Sequence, residues 1–232
     1  MATRDLGGSA GTRHGYRKGA DATVRVERWF WGLMDDDNQL VEAAARDLDG
    51  TFEALVVAHQ DRLYSIALRM LGNPRDAEEA AQDALVRAYR ALTGYPTERI
   101  RELQLRPWLA TIVLNLCRTR MARRAAAGKP ALSLDAADPG TLEPVADERT
   151  GPAATVARRA AGHAWADLLL TLPPAYRSAV VLRHVDGLSY PEVATALDRP
   201  EGTVKAQVHR GLAMLRTAFE AAERSEREEL SA

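Results

Sequence analysis

The sequence predicts an all-α protein built from two small helical domains. Apolar residues recur at helical spacing in two separate stretches, and no stretch alternates with period two for long enough to form a strand. Between these stretches, residues 125 to 162 are rich in Ala, Gly, Pro, Asp and Thr and show little apolar period, which is typical of a linker. A chain of 232 residues, 46% hydrophobic, can bury one or two small cores, and the linker favours two.

We divide the chain into five segments. The first 23 residues are rich in Gly, Ala and Arg and lack an apolar period, so a mobile start is expected. The final residues are charged and resemble a fraying helix end. The predicted segments are an N-terminal extension (1–37), a helical domain (38–126), a flexible linker (127–160), a second helical domain with a helix-turn-helix (161–220) and a charged tail (221–232).

Composition excludes several classes of protein. The formal net charge is -1, so only local clusters of charge can indicate a polyanionic partner. Cys117 is the only cysteine, which excludes a disulfide framework and a cysteine-rich zinc site and fits a reducing cytoplasm. No histidine has another at i+3 or i+4, so no metal or other cofactor is expected. The apolar run Trp29–Met34 is too short to span a bilayer and lacks a signal-peptide pattern, which favours a cytoplasmic location.

Two helices are predicted at the start of the first domain. Apolar residues from Phe52 to Met70 form one stripe on a helix that ends near Gly72, and Asn73 with Pro74 begins the next helix. That second helix has a small-residue inner face, which allows close packing. The inner residues are Ala77, Ala81, Ala84, Leu85, Ala88 and Leu92; the outer, largely acidic face contains Glu79, Gln82, Asp83, Val86 and Arg90.

A basic helix follows. Residues Thr93 to Gln104 contain Gly and Pro and predict a loop, after which Arg106 to Arg124 form a third helix. No acidic residue accompanies the cations in and just after this helix. Asn115 lies on the same face as Trp108, and an Asn buried there would need backbone or ligand partners. The helix is either an ordinary core helix with a solvated end, or a nucleic-acid surface. The cations are Arg106, Arg118, Arg120, Arg123, Arg124 and Lys129.

A helix-turn-helix is predicted in the second domain. Ser189 and Glu192 form a capping box before a short helix with Val193, Ala194 and Leu197 turned inward, and "DRPEG" turns the chain. A second helix then starts at about Thr203. At about 100° per residue, its inner sector contains Val204, Val208, Leu212 and Leu215.

The outer sector of this second helix is slim and basic. Small residues would let it enter the major groove, Arg pairs with guanine and Gln with adenine, and Lys205 and Arg199 are placed for phosphates. The alternative is an ordinary solvated surface. The sector contains Ala206, His209, Arg210 and Ala213, flanked by Lys205 and Gln207.

Two long stretches resemble one protein family. They are "YSIALRMLGNPRDAEEAAQDALVRAYRAL" with "RPWLATIVLNLCRTRMARR", and "LPPAYRSAVVLRHVDGLSYPEVATALDRPEGTVKAQVHRGLAMLR". Together they resemble the extracytoplasmic-function (ECF) subfamily of bacterial sigma factors. The resemblance implies that the acidic helix docks on core RNA polymerase through the positions Asp76, Glu79, Gln82, Asp83 and Val86.

The resemblance also implies two promoter contacts. The basic helix would melt the -10 element and capture a flipped base, with Asn115 lining the pocket, Trp108 supporting it, and Arg118, Arg120 and Arg123 on the DNA backbone. The helix-turn-helix would read the -35 element. Its implied contacts are Thr203, Lys205, Ala206, Gln207, His209 and Arg210. Many members of the family are held inactive by an anti-sigma factor, which would be a further partner.

Two other classes of protein compete with this interpretation. A helix-turn-helix regulator that works without polymerase would explain Thr203–Arg216 but would leave the acidic and basic helices without a role. An enzyme is disfavoured because the sequence has no Gly-rich phosphate loop, metal cluster or recognisable nucleophile with its base. The sequence therefore favours a sigma factor without catalytic activity.

Overall fold

The computed structural model describes residues 37–127 and 166–229. The N-terminal extension up to residue 36 and the predicted linker beyond residue 127 lie outside the described residues. Within the described ranges the regular structure is helical and contains no strand, so the all-α prediction is confirmed. The packing discussed below falls within the unit Leu40–Ala232.

The described helices fall into two sets in chain order. The first set is α1 (37–46), α2 (Leu48–Leu71), α3 (Pro74–Thr93), α4 (Thr97–Arg101) and α5 (Leu105–Ala126). The second set is α6 (166–171), α7 (Pro174–Val180) with one π-helical turn after it (Val181–Val185), α8 (Tyr190–Leu197) and α9 (Glu201–Glu229). Helix α9 thus continues into the residues predicted as a charged tail.

The turn between α2 and α3 forms as its sequence predicts. Gly72 adopts the left-handed conformation (φ 70°) and its N–H donates to the Leu68 carbonyl, while the Asn73 side chain accepts from the Asp76 N–H. Alanines then let α3 pack closely on α2, and both pack on α5. The core between them includes Leu63, Ile66, Met70, Ala84, Leu109 and Leu114.

The segment predicted as a loop contains a short helix. Residues Thr97–Arg101 form α4 directly after Pro96, and Ile100 is buried in the core. Burial of the Ile100 side chain holds the segment against the core. The Gly and Pro residues, which predict a loop, do not indicate this contact. The prediction of an irregular connection was therefore wrong at α4.

The helix-turn-helix has the predicted cap but a different inner face. The Ser189–Glu192 capping box is present, and Asp198 ends α8 in the left-handed conformation. In α9, Leu212 is 41% exposed, so its predicted inward position was wrong. Gly211 is the buried residue instead, because a Cβ there would lie 2.6 Å from the Val180 Cγ2 atom. The missing side chain lets α9 lie close to α7.

The two sets of helices meet at a polar surface, here called the junction. The Arg62 guanidinium binds both carboxylate oxygens of Asp186, at 2.5 and 2.6 Å, and Arg106 donates to the Asp186 carbonyl oxygen at 2.7 Å. Arg177 donates to the Met70 carbonyl oxygen at 2.7 Å. Arg106, Arg177 and Asp186 are the buried charged residues of the described part, and all three lie at the junction. These polar contacts join two sets of helices that belong to one compact unit, Leu40–Ala232.

Candidate nucleic-acid interface

The outer face of α9 is open to solvent. Thr203, Lys205, Ala206, His209 and Arg210 are exposed, whereas Gln207 is half-buried at the edge of the face. Lys205 forms an ion pair with Glu201 at 2.6 Å, and its hydrogen bond to Glu201 raises the pKa of the lysine. The face is slim because an alanine stands at its centre, with a histidine and an arginine one turn further along.

The face of α5 that contains Asn115 is only partly covered. Trp108 and Ile112 are half-buried, while Asn115 and Thr119 are exposed, so Asn115 does not require the partners that a buried amide would need. The Asn115 side-chain oxygen accepts from Arg118 at 3.1 Å. Burial lowers the pKa of Arg118, and the nearby positive charge of Arg199 lowers it further. The exposed side of Asn115 remains accessible to a ligand.

Two residues beside this face were missed by the sequence interpretation. The Arg99 guanidinium carbon lies 3.9 Å from the centre of the Tyr95 ring, and the Tyr95 and Trp108 ring centres are 6.3 Å apart at 56°. Arg99 thus lies over the Tyr95 ring, and Trp108, tilted against that ring, belongs to the start of α5. An aromatic residue next to Pro96, with an arginine four positions further on, was the available signal, but it fell in a segment interpreted as a loop.

Arginines of α5 are paired with carboxylates of α3. Arg120 donates to Glu79 at 3.0 Å and to Asp83 at 2.8 Å, and Arg124 donates to Asp76 at 2.9 Å. We call these five residues the α3–α5 cluster. Partial burial alone would lower the pKa of Arg120, but the hydrogen bonds to Glu79 and Asp83 outweigh it and raise the pKa. Arg120 therefore faces α3, whereas Arg123, one turn further along α5, is exposed.

The outer face of α3 combines charge with an exposed apolar residue. Val86 is 48% exposed, and Gln82 is exposed and donates to Glu78 at 3.3 Å. Together with the carboxylates of the α3–α5 cluster, these side chains form an acidic face around an apolar centre. An exposed valine among polar residues is suited to contact with another protein.

The described residues contain no group of three or more His, Cys, Asp or Glu side chains that could hold a metal ion. None of the helices that the structure describes is long and apolar enough to cross a membrane. Cys117 is buried in the first core, and this burial raises the pKa of its thiol to about 12. The thiol therefore packs as an apolar side chain.

These features define a helical DNA-binding protein. It combines a helix-turn-helix that has an open basic face with a second helical domain that has an acidic and a basic surface. Family models match both halves: "Sigma-70 region 2" over residues 55–127 and "Sigma-70, region 4" over residues 163–215.

Several curated proteins are similar over most of this chain. The ECF RNA polymerase sigma factor SigW of Bacillus subtilis is 32% identical over 170 residues, 71% of this chain and 87% of SigW. The ECF sigma factor SigE of Mycolicibacterium smegmatis is 33% identical over 72% of this chain and 60% of its own. The RNA polymerase sigma-E factor of Streptomyces avermitilis is 35% identical over 78% and 96%. The chain therefore belongs to the ECF subfamily of the sigma-70 family.

Solved structures of similar architecture agree with this assignment. CnrH, solved in complex with the cytosolic domain of CnrY, aligns with a TM-score of 0.54 at 26% identity and covers 80% of this chain and 97% of its own. The sigma factor RpoE of Bartonella quintana, solved with the anti-sigma factor NepR, has a TM-score of 0.53 at 21% identity over 73% and 96%. The second likeness concerns the fold alone.

Proposed function

We propose that three helices of this sigma factor bind three different targets. As a member of its family, the chain binds core RNA polymerase, recognises the -35 and -10 promoter elements and directs transcription initiation. We assign the -35 element to α9, the -10 element to α5 with the segment before it, and polymerase to α3. The observation that carries the proposal is the occurrence, in one chain, of a helix-turn-helix with an open face and a helical domain that matches sigma region 2.

For α9, the proposal is supported by the open face around Ala206. The buried Val204, Val208 and Gly211 fix the orientation of the helix, so that His209 and Arg210 project away from its supports. Arginine can bind the O6 and N7 atoms of guanine with two hydrogen bonds, and small neighbours allow the helix to approach the bases. The proposed contacts are Thr203, Lys205, Ala206, Gln207, His209 and Arg210.

We expect Arg210→Ala to weaken binding to the cognate -35 element by about 1–3 kcal/mol, the value of one bidentate base contact, without changing the affinity for core polymerase. Fluorescence anisotropy with cognate and scrambled duplexes measures the effect. Arg216→Ala is the control, since it removes the same charge from an exposed position of the same helix. An equal loss on both duplexes would make Arg210 a phosphate contact only.

For α5, the proposal is supported by the accessible amide of Asn115 and by the neighbouring side chains of Arg99, Tyr95 and Trp108. Aromatic rings and guanidinium groups stack on unpaired bases, and an amide provides both a donor and an acceptor. Arg118 and Arg123 are the proposed contacts to the DNA backbone on either side of this face. Arg120 was assigned to the same backbone from the sequence, but in the free chain it is ion-paired with Glu79 and Asp83 of α3.

We expect Asn115→Ala to impair open-complex formation while sparing the affinity for -35 DNA and for core polymerase. The base captured from the -10 element would lose its hydrogen bonds to the amide, so the melted state would be less stable. Permanganate footprinting of unpaired thymines measures this state. Gln60→Ala removes an exposed amide from α2 and serves as the control. Unchanged melting by the Asn115 variant would show that its amide has no role in capture.

The remaining assignments complete the proposal. The polymerase-binding residues are proposed to be Asp76, Glu79, Gln82, Asp83 and Val86, supported by the acidic face around the exposed valine. The domain limits 38–126 and 161–220 are proposed with them. An anti-sigma factor is a further proposed partner, because the structural neighbour RpoE was solved with the anti-sigma factor NepR. We also propose a cytoplasmic location and no catalytic activity.

Run-off transcription with core RNA polymerase across a genomic promoter library tests the proposal. The full-length chain should bind the core enzyme and start transcription from a defined subset of promoters. Failure of both would overturn it. DNA binding without any polymerase binding would favour an independent helix-turn-helix regulator instead.

A further inference from the structure

The α3–α5 cluster joins two surfaces that the proposed function gives to different partners. Glu79 and Asp83 lie among the proposed polymerase contacts, and Arg120 lies on the helix proposed to hold promoter DNA. One guanidinium group binds both carboxylates, with nitrogen–oxygen distances of 3.0 and 2.8 Å. The same cation cannot hold these carboxylates and a DNA phosphate at full strength simultaneously.

We propose that Arg120 is a shared cation. It occupies the carboxylates of Glu79 and Asp83 in the free chain, and it is released to promoter DNA when polymerase binds those carboxylates. This inference rests on the proposed function and extends it, because it makes polymerase binding a condition for the full strength of DNA binding by α5.

The exposure of the three side chains supports this exchange. The Arg120 side chain is 21% exposed, whereas Glu79 and Asp83 are 51% and 57% exposed. A basic partner can therefore reach the carboxylates from the solvent side without unfolding either helix. Glu79 also has a weaker contact at 3.6 Å with the highly exposed Arg75, so a single cation does not saturate its carboxylate.

Helix geometry allows the released side chain to reach DNA. At about 100° per residue, Arg120 lies about 60° around the axis of α5 from Arg123, which is exposed beside Thr119. A long arginine side chain can change rotamer to cover such an angle. Partly exposed ion pairs are weak enough to exchange at little cost.

The α3–α5 cluster has a second ion pair that also joins a cation of α5 to a proposed polymerase contact of α3. Arg124 binds Asp76, another proposed polymerase contact, at 2.9 Å, and both side chains are about one-quarter to one-third exposed. Arg120 nevertheless makes the sharper test, because it bridges two carboxylates and has a matched neighbour in Arg123.

The experiment compares full-length Arg120→Ala with full-length Arg123→Ala, which removes the same charge from an exposed position of α5. Competition binding measures the affinity for core polymerase. Arg120→Ala should raise this affinity by about two- to fivefold, because the carboxylates lose their internal competitor. Arg123→Ala should leave it unchanged. With polymerase bound, both variants should reduce open-complex formation at a cognate promoter to a similar extent.

Other results would overturn the inference. A weaker affinity of Arg120→Ala for the core enzyme would make Arg120 a support for α3, and an unchanged affinity would exclude competition. Normal open-complex formation by this variant would exclude release to DNA. Arg120→Gln keeps the length of the side chain and must agree with the alanine variant, while thermal denaturation confirms that each variant folds. If the wild-type chain binds no core polymerase, the proposed function itself fails, and this inference fails with it.

Discussion

Replacing Asp186 by alanine should lower the free energy of unfolding by about 3–5 kcal/mol, the loss expected when one partner of a buried ion pair is removed. The Asp186 side chain is 1% exposed and accepts two hydrogen bonds from Arg62, whose side chain is also largely buried. The variant leaves the largely buried Arg62 charge without its carboxylate. Urea denaturation followed by circular dichroism measures the change.

Asp61 provides the matched control for this prediction. It is exposed on α2 next to Arg62, so Asp61→Ala removes the same charge without disturbing the junction. Asp186→Asn keeps an oxygen acceptor but loses the charge, so its loss of stability should lie between those of Asp186→Ala and Asp61→Ala. If Asp186→Ala costs no more than Asp61→Ala, the two sets of helices do not dock through this ion pair in solution.

Arg177→Ala should have the second-largest effect and lower the free energy of unfolding by about 2–4 kcal/mol. The Arg177 guanidinium donates to the carbonyl oxygens of Met70, Leu170 and Leu172, at 2.7, 2.5 and 2.9 Å. Burial lowers the pKa of Arg177, so these bonds must offset a substantial desolvation cost. The variant leaves buried carbonyl groups without their donor, and each such group costs about 1–3 kcal/mol.

The position of the Met70 carbonyl gives this prediction a local readout. It lies in the last turn of α2, where carbonyl groups lack partners within the helix, so Arg177 caps α2 from the other side of the junction. Hydrogen exchange should therefore accelerate at the end of α2 as well as in α7. Arg87→Ala removes an exposed arginine from α3 and is the control. Equal stability of the two variants would contradict the capping role.

Much of the fold follows from local chemistry, which a sequence displays directly. The caps at Gly72, Asn73 and Ser189 depend on residues within a few positions of one another, and all three form as predicted. Gly211 and Leu212 differ because the inner position of α9 is decided by the distance to Val180 on another helix. Hydrophobicity favours turning Leu212 toward the core. The close approach of α7 instead places Gly211 there, because a side chain at the contact would collide with Val180.

The candidate site shows the same limit. The exposed face of α9 follows from periodicity within one helix. The pairing of Arg120 with α3 depends on how two helices cross. The segment Arg106–Lys129 contains six cations and no acidic residue, so its local pattern does not indicate this pairing. Asn115 shares a helix face with the apolar Trp108 and Ile112, but those residues are only half-buried and the amide is exposed.

The ion pairs between α3 and α5 also bear on the speed with which the free chain meets DNA. Opposite charges about 3 Å apart cancel at longer range, and the whole chain has a net charge of only -1. Attraction that accelerates diffusional encounter requires uncancelled local charge, because the field of exposed charges is largely screened beyond the Debye length, about 8 Å at physiological ionic strength. The α3–α5 cluster of the free chain should therefore add little electrostatic attraction to its encounter with DNA.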